Sequence, residues 1–293
     1  MSARCVWPAE AVLGEGPLWS AEERAVYFVD IKSSRVLRHR VGHDGGEVFE
    51  MPQQTCALGL CSDGRLIAAI RTGFAFLDLE TKTFEPIATP EPDRPGNRFN
   101  DGKVDATGCF WAGTMDDSHE KPTGCLYRLG RDLNWERKDD GHVITNGPAW
   151  SPDGSVMYHN DSVNRHILAY DCDLESGAIS NRRVFAEIPE GGGFPDGLTV
   201  DGDGHVWCAL FGGSKVVRFT PGGEVVREIA LPVSNVTSCT FGGEDLGTLF
   251  ITTARGQLTG EQRAAQPLAG GLFAIEPGVR GLPTPKFAPL GGH

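Results

Sequence analysis

Six segments of this 293-residue chain begin on the same beat. They are Glu15-Gly-Pro-Leu-Trp19, Cys56-Ala-Leu-Gly-Leu60, Asn100-Asp-Gly-Lys-Val104, Asn146-Gly-Pro-Ala-Trp150, Asp196-Gly-Leu-Thr-Val200 and Thr237-Ser-Cys-Thr-Phe241. Their first residues lie 41, 44, 46, 50 and 41 positions apart. A self-similar period of this length marks one supersecondary unit repeated around an axis. The first residue of each segment then takes an equivalent place in each unit. That place holds Glu15, Cys56, Asn100, Asn146, Asp196 and Thr237. Four of the six (the Glu, the two Asn and the Asp) carry an oxygen that suits a hard cation, and two are carboxylates.

Each segment continues as a short apolar strand, a turn and a second strand rich in aromatic and β-branched residues. Ser62-Asp-Gly64, Ser151-Pro-Asp-Gly154 and Asp201-Gly-Asp-Gly204 are such turns. Asp-Gly supplies the positive φ that a tight hairpin needs. Third strands follow in all six units, and weaker fourth strands at 46–49, 84–87, 183–186 and 224–229. The pattern predicts an all-β chain: a six-bladed β-propeller of four-stranded antiparallel blades, forming a single domain over residues 1–293. The last unit is short at its C-terminal end, so Ala3-Arg-Cys-Val-Trp7 is expected to close the last blade as its outer strand. No amphipathic helix of normal length is expected. The 39 glycines and 19 prolines suit many short strands joined by turns. Residues 116–122, 190–193 and 256–268 are expected to loop over one face.

A net charge of −12 argues against nucleic acid or an anionic membrane as partner. No apolar run approaches the ~20 residues that span a bilayer. The N-terminal residues lack an apolar signal core, so a cytoplasmic protein is expected, as a monomer or weak dimer. The eight cysteines are scattered without a Cys-x-x-Cys pair and are expected to be reduced strand residues.

In a propeller the innermost strand of each blade lines the central channel, and side chains at its start converge on the axis. Unpaired polar groups buried there cost about 1–3 kcal/mol each, and Glu15 and Asp196 would also repel each other. A divalent cation between them resolves both problems. Any one of these residues taken alone is a plausible turn former. Their shared register, each ahead of an apolar strand, favours a metal site.

The residues also carry a family resemblance. Leu13-Gly-Glu-Gly-Pro-Leu-Trp19, Asn97-Arg-Phe-Asn-Asp-Gly102, Trp111-Ala-Gly-Thr-Met115, Ile144-Thr-Asn-Gly-Pro148, and Phe194-Pro-Asp-Gly197 with Asp201 resemble the motifs of the regucalcin/gluconolactonase family. This family comprises senescence marker protein and the sugar-lactone lactonases. The match runs from about Val12 to Gly271 and keeps the order of the motifs. The resemblance implies one divalent metal ion in the channel, held by Glu15, Asn146 and Asp196, and substrate binding by Arg98 and Asn100. Asp116, Asp117 and Glu120 compete for the family's acidic loop position, and Glu120 is carried forward as a substrate-binding candidate.

The reaction so implied opens an aldonolactone such as xylono-, arabinono-, galactono- or gluconolactone with water, in an oxidative sugar pathway. The partner is a small-molecule sugar lactone. Asp196 is the candidate catalytic base, as the resemblance suggests. A carboxylate beside a cation is a weak base, so a metal-activated water competes as the source of the nucleophile. An oxygen shell of Glu, Asn and Asp suits Ca²⁺, Mg²⁺, Mn²⁺ or Fe²⁺ and tolerates Zn²⁺. No Gly-x-Ser-x-Gly elbow is present, which disfavours covalent ester hydrolysis. His159 and His205 lie on second strands and are expected to be packed or solvent-facing. A phosphotriesterase- or arylesterase-like hydrolase and a non-enzymatic calcium-binding regulator are the alternatives.

Overall fold

A computed structural model describes residues 2–290. Its strands form six four-stranded antiparallel sheets. The six inner strands are Gly14–Ser20, Thr55–Leu60, Asn97–Val104, Thr145–Trp150, Phe194–Val200 and Val236–Gly242. Each of these strands starts a blade, numbered 1 to 6 in that order. Blade 6 is completed by the N-terminal strand Arg4–Trp7, which pairs with Leu272–Ile275. The ring closes as expected: a six-bladed β-propeller sewn shut by its own N-terminus. Closure of this kind leaves no blade with a missing strand at the chain ends.

All six inner strands break register with their neighbours at the beat. The shifts fall between Glu15 and Leu18, Thr55 and Ala57, Phe99 and Gly102, Asn146 and Ala149, Pro195 and Leu198, and Val236 and Ser238. A β-bulge sets extra residues against its partner strand, bends the chain and re-aims a side chain. The repeated segment is therefore the sequence signature of a bulge, and Gly is frequent in it for a steric reason. A Cβ at Gly197 would stand 2.0 Å from Ser238 Oγ of the next blade, and one at Gly102 would stand 2.6 Å from the Trp111 carbonyl.

The core lies between blades, where aromatic rings interleave. Trp19 stacks on Phe250 at 5.9 Å, Phe74 meets Phe99 at 4.8 Å, and Trp111 meets Trp150 at 6.0 Å. Blades 3 and 5 share a polar device. Asp105 accepts from Thr107 N, Cys109 N and Trp111 Nε1. Asp201 accepts from Asp203 N, His205 N and Trp207 Nε1, and is also bonded by Arg218 Nε at 2.8 Å. Asp201 thus ties a hairpin to the second strand of its blade, away from the channel floor. Asp201→Ala leaves Trp207 Nε1 and the Arg218 guanidinium without their buried acceptor. It is expected to cost about 3 kcal/mol or more, read as a lower urea midpoint at unchanged slope.

Three features were not legible in the sequence. The outer strand of blade 3, Trp135–His142, is mostly exposed and so charged that it reads as a loop. A six-residue helix, Gly260–Ala265, interrupts the loop expected over 256–268. It starts in a capping box made by Thr259 and Gln262 and buries no residue. The C-terminal segment crosses the face opposite the bulges. Gly202 N donates to Arg280 O at 2.8 Å, Phe287 N to Leu60 O at 2.7 Å, and Leu290 N to Arg131 O at 2.7 Å. Phe287 is wholly buried against Phe76. All eight cysteines are free, and no helix among the described residues is long and apolar enough to cross a membrane.

Candidate metal and substrate site

The channel has a cavity at each end. The larger, about 470 Å³, is walled by Leu18, Leu58, Val104, Val200, Phe241 and the C-terminal stretch 282–285. Its lining is largely apolar and, among the described residues, holds no pair of converging carboxylates. The smaller, about 300 Å³, opens on the face where the inner strands begin and has the acidic floor that the repeat predicts. Its lining includes Glu15, Arg98, Asn100, Asn146 and Asp196, brought together from blades 1, 3, 4 and 5. All five are buried. Of the six beat positions, Cys56 and Thr237 are also buried but do not line this cavity.

Hydrogen bonds order these side chains in a line. Asn146 Nδ2 donates to Ser162 Oγ at 2.9 Å, and Asn146 Oδ1 accepts from Asn100 Nδ2 at 2.8 Å. Asn100 Nδ2 also donates to Thr145 O at 2.8 Å, and Asn100 Oδ1 accepts from Arg98 Nη1 at 2.8 Å. Arg98 Nε donates to Asp117 Oδ1 at 2.8 Å. Both amide protons of Asn100 are spent on the protein. Its place in the line is to orient Asn146 and Arg98. Arg98 Nη2 makes no hydrogen bond to the protein among the described residues.

Burial pushes the Glu15 carboxyl well above its ordinary range, and the neighbouring charges of Asp196 and Asp101 push it further. Burial does the same to Asp196, again with Asp101 adding repulsion. Asp101 itself is raised by burial and partly offset by the Lys103 ammonium. Asp101 accepts from Gly102 N at 2.7 Å and from Gly147 N at 2.9 Å. Lys103 Nζ donates to Leu198 O at 2.5 Å. The peptide carbonyl of Asp196 accepts from Asn160 Nδ2, which fixes the backbone at that position.

The donor set fits a hard cation. Two carboxylates that repel each other and one amide oxygen meet at the floor of a cavity, and a divalent ion there would offset both the burial and the repulsion. Among the described residues of the lining, the nitrogen and sulfur donors besides these are the His119 imidazole on the wall and the Met115 thioether, a soft donor that suits a hard cation poorly. The sequence missed Asp101, because only the first residue of each beat was weighed. A bulge brings the second residue of the pair toward the same interior, and Asp101 sits in one.

The loop after Met115 differs from expectation. Glu120 is exposed and is not part of the cavity lining. Asp116 turns into the loop, where it accepts from Ser118 Oγ and from the backbone N–H groups of Glu120 and Lys121, and these bonds bring its carboxyl down to about 2. His119 lines the cavity where Glu120 was expected, at a positive φ of 63°. Asp117 holds Arg98. Of the two histidines on second strands, His159 is wholly buried beside His142, ring centroids 5.2 Å apart. Burial there keeps it neutral, with its pKa down to about 3. His205 is partly exposed. Neither lines the cavity.

The sequence profile of the SMP-30/Gluconolactonase/LRE-like region matches residues 13–255. The chain belongs to this family. It is 37% identical to 6-deoxy-6-sulfogluconolactonase of Pseudomonas putida over 97% of this chain and 98% of that one. It is 35% identical to regucalcin of Oryctolagus cuniculus, over 97% of each chain. Among solved structures it resembles a calcium-binding protein, regucalcin, from Agrobacterium tumefaciens, with a TM-score of 0.93, 27% identity, and coverage of 98% of this chain and 97% of that one. In this family member the oxygen-rich floor and its Arg98–Asn100 line lie at one end of the channel, and the apolar cavity at the other.

Proposed function

We propose that this family member hydrolyses a sugar lactone at the smaller cavity, with a divalent cation held by Glu15, Asn146 and Asp196. The observation that carries this reading is the convergence of two buried carboxylates and an amide oxygen on the floor of a sugar-sized pocket, with an arginine poised beside them. The names of relatives support the same chemistry, since one is a 6-deoxy-6-sulfogluconolactonase. A bound cation would supply polarisation of the ester carbonyl and stabilisation of the developing oxyanion.

The protein's own residues do the rest. Asp196 stands at the floor with its backbone fixed by Asn160, and its carboxylate takes the proton of the attacking water. Arg98 turns its unpaired Nη2 to the ring oxygens and hydroxyls of the sugar. Asn100 holds Arg98 and Asn146 in register, so substrate and floor keep a fixed separation. Phe194 and Val163, 40% and 41% exposed, line the other side of the mouth and offer an apolar wall to the C–H face of the sugar.

The test is a lactone panel of xylono-, arabinono-, galactono- and gluconolactone, followed by acid release. The expected result is acceleration over spontaneous opening that a chelator removes and a divalent cation restores. Absence of chelator-sensitive acceleration with every lactone, alongside measurable cation binding, would instead support a non-enzymatic calcium-binding role. The name of the Agrobacterium tumefaciens structure makes that alternative specific.

A further inference from the structure

A buried carboxylate beside the floor has no place in the donor set. Asp101 lines neither cavity, and a peptide N–H group meets each of its oxygens. Gly102 N donates to Oδ1 at 2.7 Å and Gly147 N to Oδ2 at 2.9 Å. The second bond crosses from blade 3 to blade 4 and holds the peptide that follows Asn146. These bonds fix Asp101 one residue past Asn100 and leave its negative charge against the floor. Glu15 and Asp196 both feel that charge as repulsion. A third carboxylate buried beside two others is costly unless a cation answers it.

Lys103, two residues on, is that cation. It reaches from the inner strand of blade 3 to blade 5, where its Nζ donates to Leu198 O, two residues beyond Asp196. It lines the larger cavity and not the smaller, so its ammonium stands behind the floor. Among the described residues of that lining, the other charged side chain is the exposed Asp153. Burial lowers the Lys103 pKa, and the Asp101 charge counters the effect. Both charges also register on Cys239, in the inner strand of blade 6. Burial pushes that thiol up to about 12, while Lys103 pulls it down and Asp101 pushes it up. Lys103 and Asp101 thus act as a pair inside the ring, between blades 3, 5 and 6. The other cations at this end are held at the wall. Lys32, Arg71 and Arg98 lie 2.9, 3.1 and 2.8 Å from the one carboxylate of Asp117. Lys32 and Arg71 stand at the rim, 37% and 36% exposed, where water and salt screen them. Arg98 ranks behind burial and Asp101 in its effect on Asp196.

We propose that Lys103 sets the charge preference of the cation site: by offsetting Asp101 it leaves the floor two net negative charges, which match a divalent cation and disfavour a trivalent one. This rests on the reading of the floor as a cation site. With a cation bound, Glu15, Asp196 and Asp101 carry three negative charges, and Lys103 returns one positive charge. Without Lys103 the same oxygens would present the surplus that a trivalent ion matches best. The Coulomb energy between a fixed charge and an ion scales with the ion's own charge. Lys103 therefore weakens the binding of every cation, and that of a trivalent ion most. Because the pair is buried, salt does little to blunt it.

The experiment titrates the full chain, freed of cations by a chelator that is then removed, with Ca²⁺ and with Tb³⁺, an oxygen-seeking ion of similar size. Calorimetry gives the two affinities, and their ratio is the readout. The ratio cancels the state of the empty site, which both ions share. Lys103→Gln removes the charge but keeps an N–H donor for Leu198 O. It is expected to bind both ions more tightly and to raise the Tb³⁺ to Ca²⁺ affinity ratio about ten-fold. Lys103→Arg is expected to keep the parental ratio. Asp101→Asn is expected to move the ratio about as far in the opposite direction, and the double variant Lys103→Gln, Asp101→Asn to return it close to the parental value. A lysine that served only to tie blade 3 to blade 5 would, on removal, change both affinities together and leave the ratio alone. If neither Lys103→Gln nor Asp101→Asn moves the ratio while the parent binds both ions, the proposal fails and the cation site stands. Should one of the two variants not fold, the ratio in the other decides alone. If the parent binds neither ion, the cation reading fails and the role of Lys103 falls with it.

Discussion

Asp196→Asn is expected to lower lactone kcat/KM by about 10³-fold or more while leaving the fold intact. The substitution keeps the size of the side chain and one oxygen for a cation but removes the proposed base. It also removes one of three mutually repelling carboxylates. Burial and the Asp101 charge already hold Asp196 well above its ordinary range, and its own charge does the same to Glu15. The chelated variant should therefore unfold at the same temperature as the chelated parent or higher. That combination separates a functional role from a structural one, since an architectural carboxylate would lower the midpoint when lost. Retained turnover in Asp196→Asn would remove Asp196 from the chemistry and leave the activated water as the source of the nucleophile.

The second large effect is a dependence of stability on both pH and cation. A carboxylate raised in the folded state keeps a proton that the unfolded chain has released. Its contribution is whole below the unfolded pKa, near 4, and is lost as pH climbs through the raised value. Glu15, Asp196 and Asp101 are all raised, so chelated protein is expected to lose stability from the ordinary carboxylate range toward neutral pH. A cation competes with those protons. Its affinity should rise with pH, and binding should release protons into the buffer. At 100 times Kd, the cation would return about 2.7 kcal/mol. Thermal unfolding across pH, with chelator and with Ca²⁺, Mg²⁺ or Mn²⁺, reads this directly. A midpoint that no divalent ion moves at any pH would rule out these oxygens as a cation site.

Much of the candidate site was legible because a bulge is a local event. Glu15, Asn146 and Asp196 could be picked from the chain because each starts the same short motif at the same place in its unit. Asp101 was overlooked because it follows the marked residue. Its importance comes from Glu15 and Asp196 across the channel, which no local pattern contains. Glu120 shows the opposite failure. Its type suited a substrate contact, but the loop folds around the Asp116 carboxylate, which exposes Glu120 and turns His119 to the wall. The strand Trp135–His142 was invisible because an outer strand has little to bury, and its charges satisfy solvent as well as they would in a loop.

The sequence by itself determined the number of units, the strand that closes the ring and the register at which polar side chains turn inward. Period and alternation are set by residues close along the chain, so they survive in the bare order of amino acids. Tertiary structure alone decided which end of the channel is acidic and which is apolar, how near Asp101 comes to Glu15 and Asp196, and that Lys32, Arg71 and Arg98 share one carboxylate. Those relations join different blades. They depend on how the ring closes and how loops settle over it, and Coulomb energies between units follow those distances rather than positions in the chain.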